Sequence, residues 1–293
     1  MATTRPLDGE AFVPRSDAAD GDALIEEEVA ERKSFASGWR LWALRVAVLV
    51  FFIAAWQVFT GKPGQGLALV DKFWVSQPSD ILTRLDRWID DGTLWFQLAI
   101  TLREMVSGFA IGALIAVCLG FVLARNLVLA RLVDPFMIAF YSIPKLALAP
   151  LFILWFGIGL EPKVVLVATV VFFLVFVNTY AGFRDVDQEL IDCVRLMGAS
   201  RRDVFTKVVL PSASAWIFTG LKLAVPNSLI AAVVGELMAA NRGLGFLLLN
   251  AQGQFDTAGV MAIIVLLMLM GWGINEGVNR AESHLLRWKL TAQ

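Results

Sequence analysis

Three ionisable side chains stand inside or beside long apolar segments of this chain: Lys145, Lys222 and Glu236. An unpaired charge in hydrocarbon is costly, so each must face protein, a wet cavity or a counter-charge. Three readings fit such groups. They contact a solute, they form a structural Lys–Glu pair, or the lysines snorkel to the surface. Helix-breaking and polar residues gather near them. Pro144 and Pro150 flank Lys145, and Pro226, Asn227 and Ser228 lie between Lys222 and Glu236. Proline removes a backbone donor and kinks a helix, which is tolerated at membrane depth where other groups or water satisfy the freed carbonyls. These places are candidates for a polar route, and a cationic lining suits an anion.

Other chemistries lack their residues. Cys118 and Cys193 are the only cysteines and His284 is the only histidine. A disulfide framework, a zinc cluster and a histidine-based triad are unsupported, and no metal or cofactor is expected. Lone charges on separate segments do not make the paired acids or Ser/Lys cluster of an intramembrane enzyme. There is no G-x-x-x-x-G-K-[ST] loop, and Gly61-Lys62 is not one, so ATP binding is not expected of this chain. A net charge of −1 excludes a broadly basic nucleic-acid binder.

The elements that carry these residues are apolar. Of 293 residues 58% are hydrophobic and 17% charged, against ~45–50% and ~25% in ordinary soluble domains. Six segments account for the excess: 41–60, 105–124, 135–160, 164–183, about 212–238, and 257–275. Each has about the ~20 residues a helix of 1.5 Å rise needs to cross ~30 Å of hydrocarbon. The expected fold is an all-α membrane protein with six transmembrane helices. With the N-terminus inside, fourteen Lys and Arg flank the inner ends and seven the outer ends. That bias puts both termini in the cytoplasm. Residues 1–35 read as an acidic, disordered cytoplasmic tail, with nine acidic residues up to Glu31 and no apolar stretch of the kind a secretory signal needs.

Two stretches between the segments are patterned. In residues 61–96, Pro78-Ser79 starts a helix, Ile81, Leu82, Leu85, Trp88 and Ile89 share one face, and Gly92 ends it. This helix either lies in the outer interface or packs on the bundle. Residues 184–211 are too polar to span. Asp187 caps a helix with Leu190, Ile191, Val194 and Met197 on its apolar side, Gly198 takes the turn, and Ser200 with Asp203 makes a capping box for a second helix. Val204, Phe205, Val208 and Val209 form the second stripe, and Pro211 opens the next membrane helix. The pair makes a compact knob on the inner face that either docks into a partner or rests on lipid headgroups. Gly108, Gly112, Ala116 and Gly120 form a small-residue ridge on the second span, which packs either within the chain or at a seam between copies, and Gly273 and Gly277 do the same in the sixth.

The loop resembles the "EAA" loop of ABC-transporter inner-membrane permeases, E-A-A-x3-G-x9-I-x-L-P. Asp192, Cys193 and Val194 take the E-A-A places, Gly198 follows after three residues, Val208 after nine more, and Leu210-Pro211 closes the pattern. Thr101-Leu102-Arg103 with Gly108-Phe109, the run SIPKLALAPLFILWFGIG at 142–159, Asn178-Thr179 before Gly182, Glu236 with Gly243-Leu244-Gly245, and Arg287-Trp288 are similar to the taurine, sulfonate and nitrate permease group.

The resemblance implies a domain organisation: 36–96 as a first span with a periplasmic amphipathic segment, and 97–290 as the permease domain with the coupling loop 184–211 between helices 4 and 5. It implies one half of a channel, usually a homodimer, with ABC ATPase subunits docked on the coupling loops. An extracytoplasmic solute-binding protein delivers the solute, and alternating access moves it across the bacterial inner membrane. It adds Ser142 and Asn178 to Pro144, Lys145, Lys222, Asn227 and Glu236 as candidate pathway residues. The alternative is a gradient-driven secondary transporter, which needs no such loop and often shows inverted repeats.

Overall fold

The structure is a computed structural model that describes residues 38–61, 68–239 and 241–285. The acidic tail, Lys62 and Arg287-Trp288 lie outside the described residues. The chain falls into two units, ending and beginning at Phe59 and Thr60. The first contributes α1 (Gly38–Phe59), whose large apolar side chains, Leu44, Phe51 and Phe52 among them, are exposed. A helix apolar on every side belongs in lipid.

The second unit begins with a two-residue parallel ladder, β1 (Thr60–Gly61) on β2 (Val70–Asp71), the only strands among the described residues. A short α2 (Lys72–Val75) leads into α3 (Pro78–Asp90). The α3 face is only partly covered: Ile81 and Trp88 are buried, Leu85 is half-buried, and Leu82 and Ile89 stay exposed. The helix packs on the last helix of the bundle, through Arg84 paired with Asp256. Nearby, Thr257 Oγ1 donates to the Phe73 carbonyl at 2.5 Å.

The bundle itself is α4 (Thr93–Arg125), α7 (Glu161–Arg184) and α10 (Leu210–Ala239), packed along their lengths, with α12 (Thr257–Leu285) against α10. The small-residue ridge of α4 is the reason α4 and α7 approach so closely. A Cβ at Gly108 would stand 2.5 Å from Val167 Cβ, and one at Gly120 would stand 2.8 Å from Thr179 Cγ2. Gly112 lies against the Ala168 backbone. The ridge is therefore spent inside the chain, whereas a Cβ at Gly273 or Gly277 would meet nothing within 4 Å among the described residues.

The third apolar segment is not one straight helix. It divides into α5 (Leu127–Ser142), a 3-10 turn at Lys145–Leu148, and α6 (Ala149–Phe156), with an 80° bend between the halves. Pro144 cannot donate into a helix, and it biases Ile143 to extended backbone (φ −67°, ψ 131°). Five helices are long and apolar enough to cross a membrane, and six spans result when the bent pair counts as one. α8 (Gln188–Leu196) and α9 (Arg201–Val204) form the loop before α10, and α11 (Leu244–Gly253) is a short apolar helix between α10 and α12.

Candidate functional site

The loop builds itself from local chemistry. Asp187 Oδ1 accepts from the Glu189 N–H at 2.8 Å and caps α8. At the other end Gly198 has φ +88°, its N–H donates to Arg195 O, and the Ala199 N–H reaches back to Val194 O. That is the Schellman ending, which needs a residue tolerant of positive φ. Ser200 Oγ accepts from the Asp203 N–H at 3.2 Å, and Asp203 Oδ2 accepts from the Ser200 N–H at 3.3 Å, so the capping box closes. Lys207 pairs with Asp203 at 2.7 Å. Ile191, Val204 and Val208 form a small core of the knob, flanked by Val186, Val194, Ala199 and Val209.

Three details differ from the sequence pattern, the first being that Leu190 is 46% exposed rather than turned inward. Met197 is 82% exposed, not turned inward, and Leu196 is 90% exposed. The helix stops at Leu196, so the chain has already left the helical face before Met197. Pro211 is the second residue of α10 rather than its first. Backbone helix runs through it, because a π-turn at Phe205–Val209 precedes it and the Leu210 N–H bonds Phe205 O five residues back. A wider turn there accommodates the proline ring and its missing donor. Within the coupling pattern, Asp192 accepts from Gln188 Nε2 at 3.2 Å and pairs loosely with Arg195 at 3.4 Å, while Cys193 and Leu210 are exposed. The knob thus presents two bare apolar side chains at a rigid tip.

The polar positions in the spans are dispersed. Lys145 sits 4.3 Å from the Tyr141 ring centroid and 5.0 Å from that of Phe173, and it donates to the Tyr141 carbonyl. Ser142 and Pro144 beside it are exposed. Lys222 pairs with Glu282 of α12. Asn178 and Asn227 each donate to the carbonyl four residues back, at 2.8 Å. Glu236 is fully buried. Thr101 Oγ1 donates to its Oε1 at 2.7 Å and the Gly245 N–H to its Oε2 at 2.6 Å. Around it the Leu244 N–H donates to Thr101 Oγ1 and the Gly243 N–H to Gln97 Oε1. Gly243 has φ +106° and packs directly on the Glu236 carboxylate, so only glycine fits there. Glu236 with Thr101 therefore clamps the turn that launches α11.

A buried charge pair, Glu104 with Lys163, was not legible as such. Lys163 counts by sequence as an outer flank, yet it is 6% exposed, with its stem against Gly235. Glu104 lies one turn beyond Thr101, just outside the apolar segment that begins at 105. The available signal was the i, i+3 spacing of Thr101 and Glu104 on a continuous α4.

Comparison with known proteins agrees with this architecture. Residues 108–275 match the family described as "Binding-protein-dependent transport system inner membrane component". The formylaminopyrimidine transport permease protein ThiX of Halalkalibacterium halodurans is 34% identical over 69% of this chain and 80% of its own. The taurine transport system permease protein TauC of Escherichia coli is 28% identical over 90% and 97%. Among solved structures, an inward-facing MetNI methionine ABC transporter gives a TM-score of 0.53 at 23% identity, covering 66% of this chain and 94% of that one. This last likeness speaks for the fold.

Proposed function

The chain belongs to the family of binding-protein-dependent transport system inner membrane components, and from that premise we propose that its loop 184–211 is where the ATPase subunits act on it. The family makes it a multi-pass inner-membrane permease of an ABC importer, a transport component whose ATP hydrolysis resides on another chain. The gradient-driven alternative is set aside with that membership.

One observation carries the reading of the loop. The tip formed by Leu196 and Met197 is almost fully exposed on a knob whose two helices are both capped and whose turn is fixed by Gly198. Exposed apolar anchors on a rigid frame are what a docking contact uses. Asp192, Cys193 and Val194 frame one side of that contact, and Val208, Leu210 and Pro211 tie the knob to α10. Because α10 continues from the loop through Pro226 to Glu236, a push on the knob reaches the polar positions of the bundle. The permease works as a homodimer with both termini cytoplasmic, and a binding protein delivers solute to the outer face.

The solute is a small molecule carrying an anionic group, of the sulfonate, taurine or nitrate kind. The support is the resemblance at 142–159, the similarity to a taurine permease, and Lys145, an aromatic-flanked cation at the break of the third span. Ser142, Pro144, Lys145, Asn178, Lys222 and Asn227 mark the route, and Glu236 shapes it from behind. The test substitutes the turn. In proteoliposomes holding permease, ATPase and binding protein, Gly198→Val keeps insertion and basal ATP hydrolysis while uptake of labelled taurine or nitrate falls at least about tenfold, since a β-branched residue at positive φ is strained. Undiminished uptake by the variant contradicts the proposed role of the loop.

A further inference from the structure

At the base of the knob, where α4 and α7 end, lies a cavity of about 320 Å³. Its walls are of two kinds. Phe121, Phe183 and Phe205 form an aromatic floor, with ring centroids 5.3 Å apart for Phe121–Phe183 and 5.1 Å for Phe121–Phe205. Three arginines rise around it: Arg125 from the end of α4, Arg195 from α8 and Arg201 from the first turn of α9. Among the described residues, no carboxylate lines the cavity. Arg195 shares a loose contact with Asp192, but Arg125 and Arg201 have no ion-pair partner among the described residues.

We propose that this cavity binds the phosphate headgroup of an anionic phospholipid from the adjoining leaflet, with Arg125 and Arg201 on the phosphate and the glycerol and first chain carbons over the phenylalanine floor. Three observations choose this occupant. The uncompensated charge is positive, and guanidinium groups recognise phosphate oxygens in pairs. A free inorganic anion would use the arginines and gain nothing from the aromatic floor, whereas a lipid uses both. The cavity also lies at the ends of two spans, the depth at which headgroups sit, and basic pockets between transmembrane helices take anionic lipids in this way. The leaflet is the inner one, which rests on the cytoplasmic placement of loop 184–211 proposed above. Because the cavity joins α4, α7 and α9, a seated lipid braces the knob against the bundle.

Lipid retention by the full chain, purified in mild detergent, tests this by native mass spectrometry without ATP turnover. A wrong account of ATPase docking therefore leaves the result unmoved. Phosphatidylglycerol is expected to be retained in preference to phosphatidylcholine. The pair Arg125→Gln with Arg201→Gln weakens that retention about 30-fold, about fivefold per arginine. Arg125→Lys with Arg201→Lys recovers part of it, and Arg103→Gln in the first third of α4, far from the cavity, changes nothing. Monodispersity and helical content matched to the native chain show that the Gln pair still folds. Equal retention of the two lipids, or an unchanged Gln pair, overturns the proposal. Displacement of phosphatidylglycerol by millimolar inorganic phosphate also overturns it, because the site would then be one for a free anion.

Discussion

Buried charge is the most consequential feature at the residue scale. Lys163 and Glu104 are both nearly inaccessible and engage each other, and Glu236 sits nearby with both oxygens occupied. Replacing a buried pair by apolar or neutral groups is often cheap, while removing one partner leaves a stranded charge at a cost of about 3–5 kcal/mol. Lys163→Met is therefore expected to lower stability in detergent by that order, and Glu104→Gln with Lys163→Met recovers most of the loss. A thermal or denaturant double-mutant cycle reads this directly, and a double variant as unstable as the lysine variant alone contradicts the pairing. Sequence disclosed the cost of Lys145, Lys222 and Glu236 but not their partners. Lys222 meets Glu282 sixty residues on, a relation set by how α10 and α12 pack, which no local spacing encodes.

Elements were more legible than contacts where the determinants are local. Asp187, Gly198 and the Ser200–Asp203 box define the ends of α8 and α9 within a few residues, and the structure keeps every one of those ends. The determinants failed where tertiary packing decides. Met197 lies outside its stripe because it is already the C-cap that the Gly198 turn sets, and Pro211 follows a π-turn in continuous helical backbone. Small-residue spacing on α4 and on α12 looks alike in sequence, yet only the first is covered by another helix. Gly112→Ala is accordingly expected to cost about 1–3 kcal/mol by overpacking against Ala168. Gly277→Ala, with open space around it, should stay within about 0.5 kcal/mol. Unfolding midpoints of the two variants in detergent separate the cases, and equal losses contradict the placement of the ridge.

The whole molecule reads as a divided machine. In the function proposed above, its spans, bent third segment and clamped α11 make the route, and its knob is the grip for a motor on another chain. The six-span outline was legible because hydropathy and length suffice for it, and Pro144 marked the break in the third span, but the 80° size of that bend needed the three-dimensional path. The account stands on the knob facing the cytoplasm and meeting an ATPase there. The protein carries its own probe: both cysteines are exposed, Cys193 on the polar loop helix α8 and Cys118 within the apolar run of α4. A thiol facing hydrocarbon is out of reach of a membrane-impermeant maleimide, whereas an exposed one in water reacts. In a Cys118→Ser background, Cys193 is expected to label in inside-out vesicles, to stay unlabelled in intact spheroplasts, and to be protected when the ATPase subunits are added. Labelling from the outside, or labelling in inside-out vesicles that bound ATPase leaves unchanged, would contradict the account.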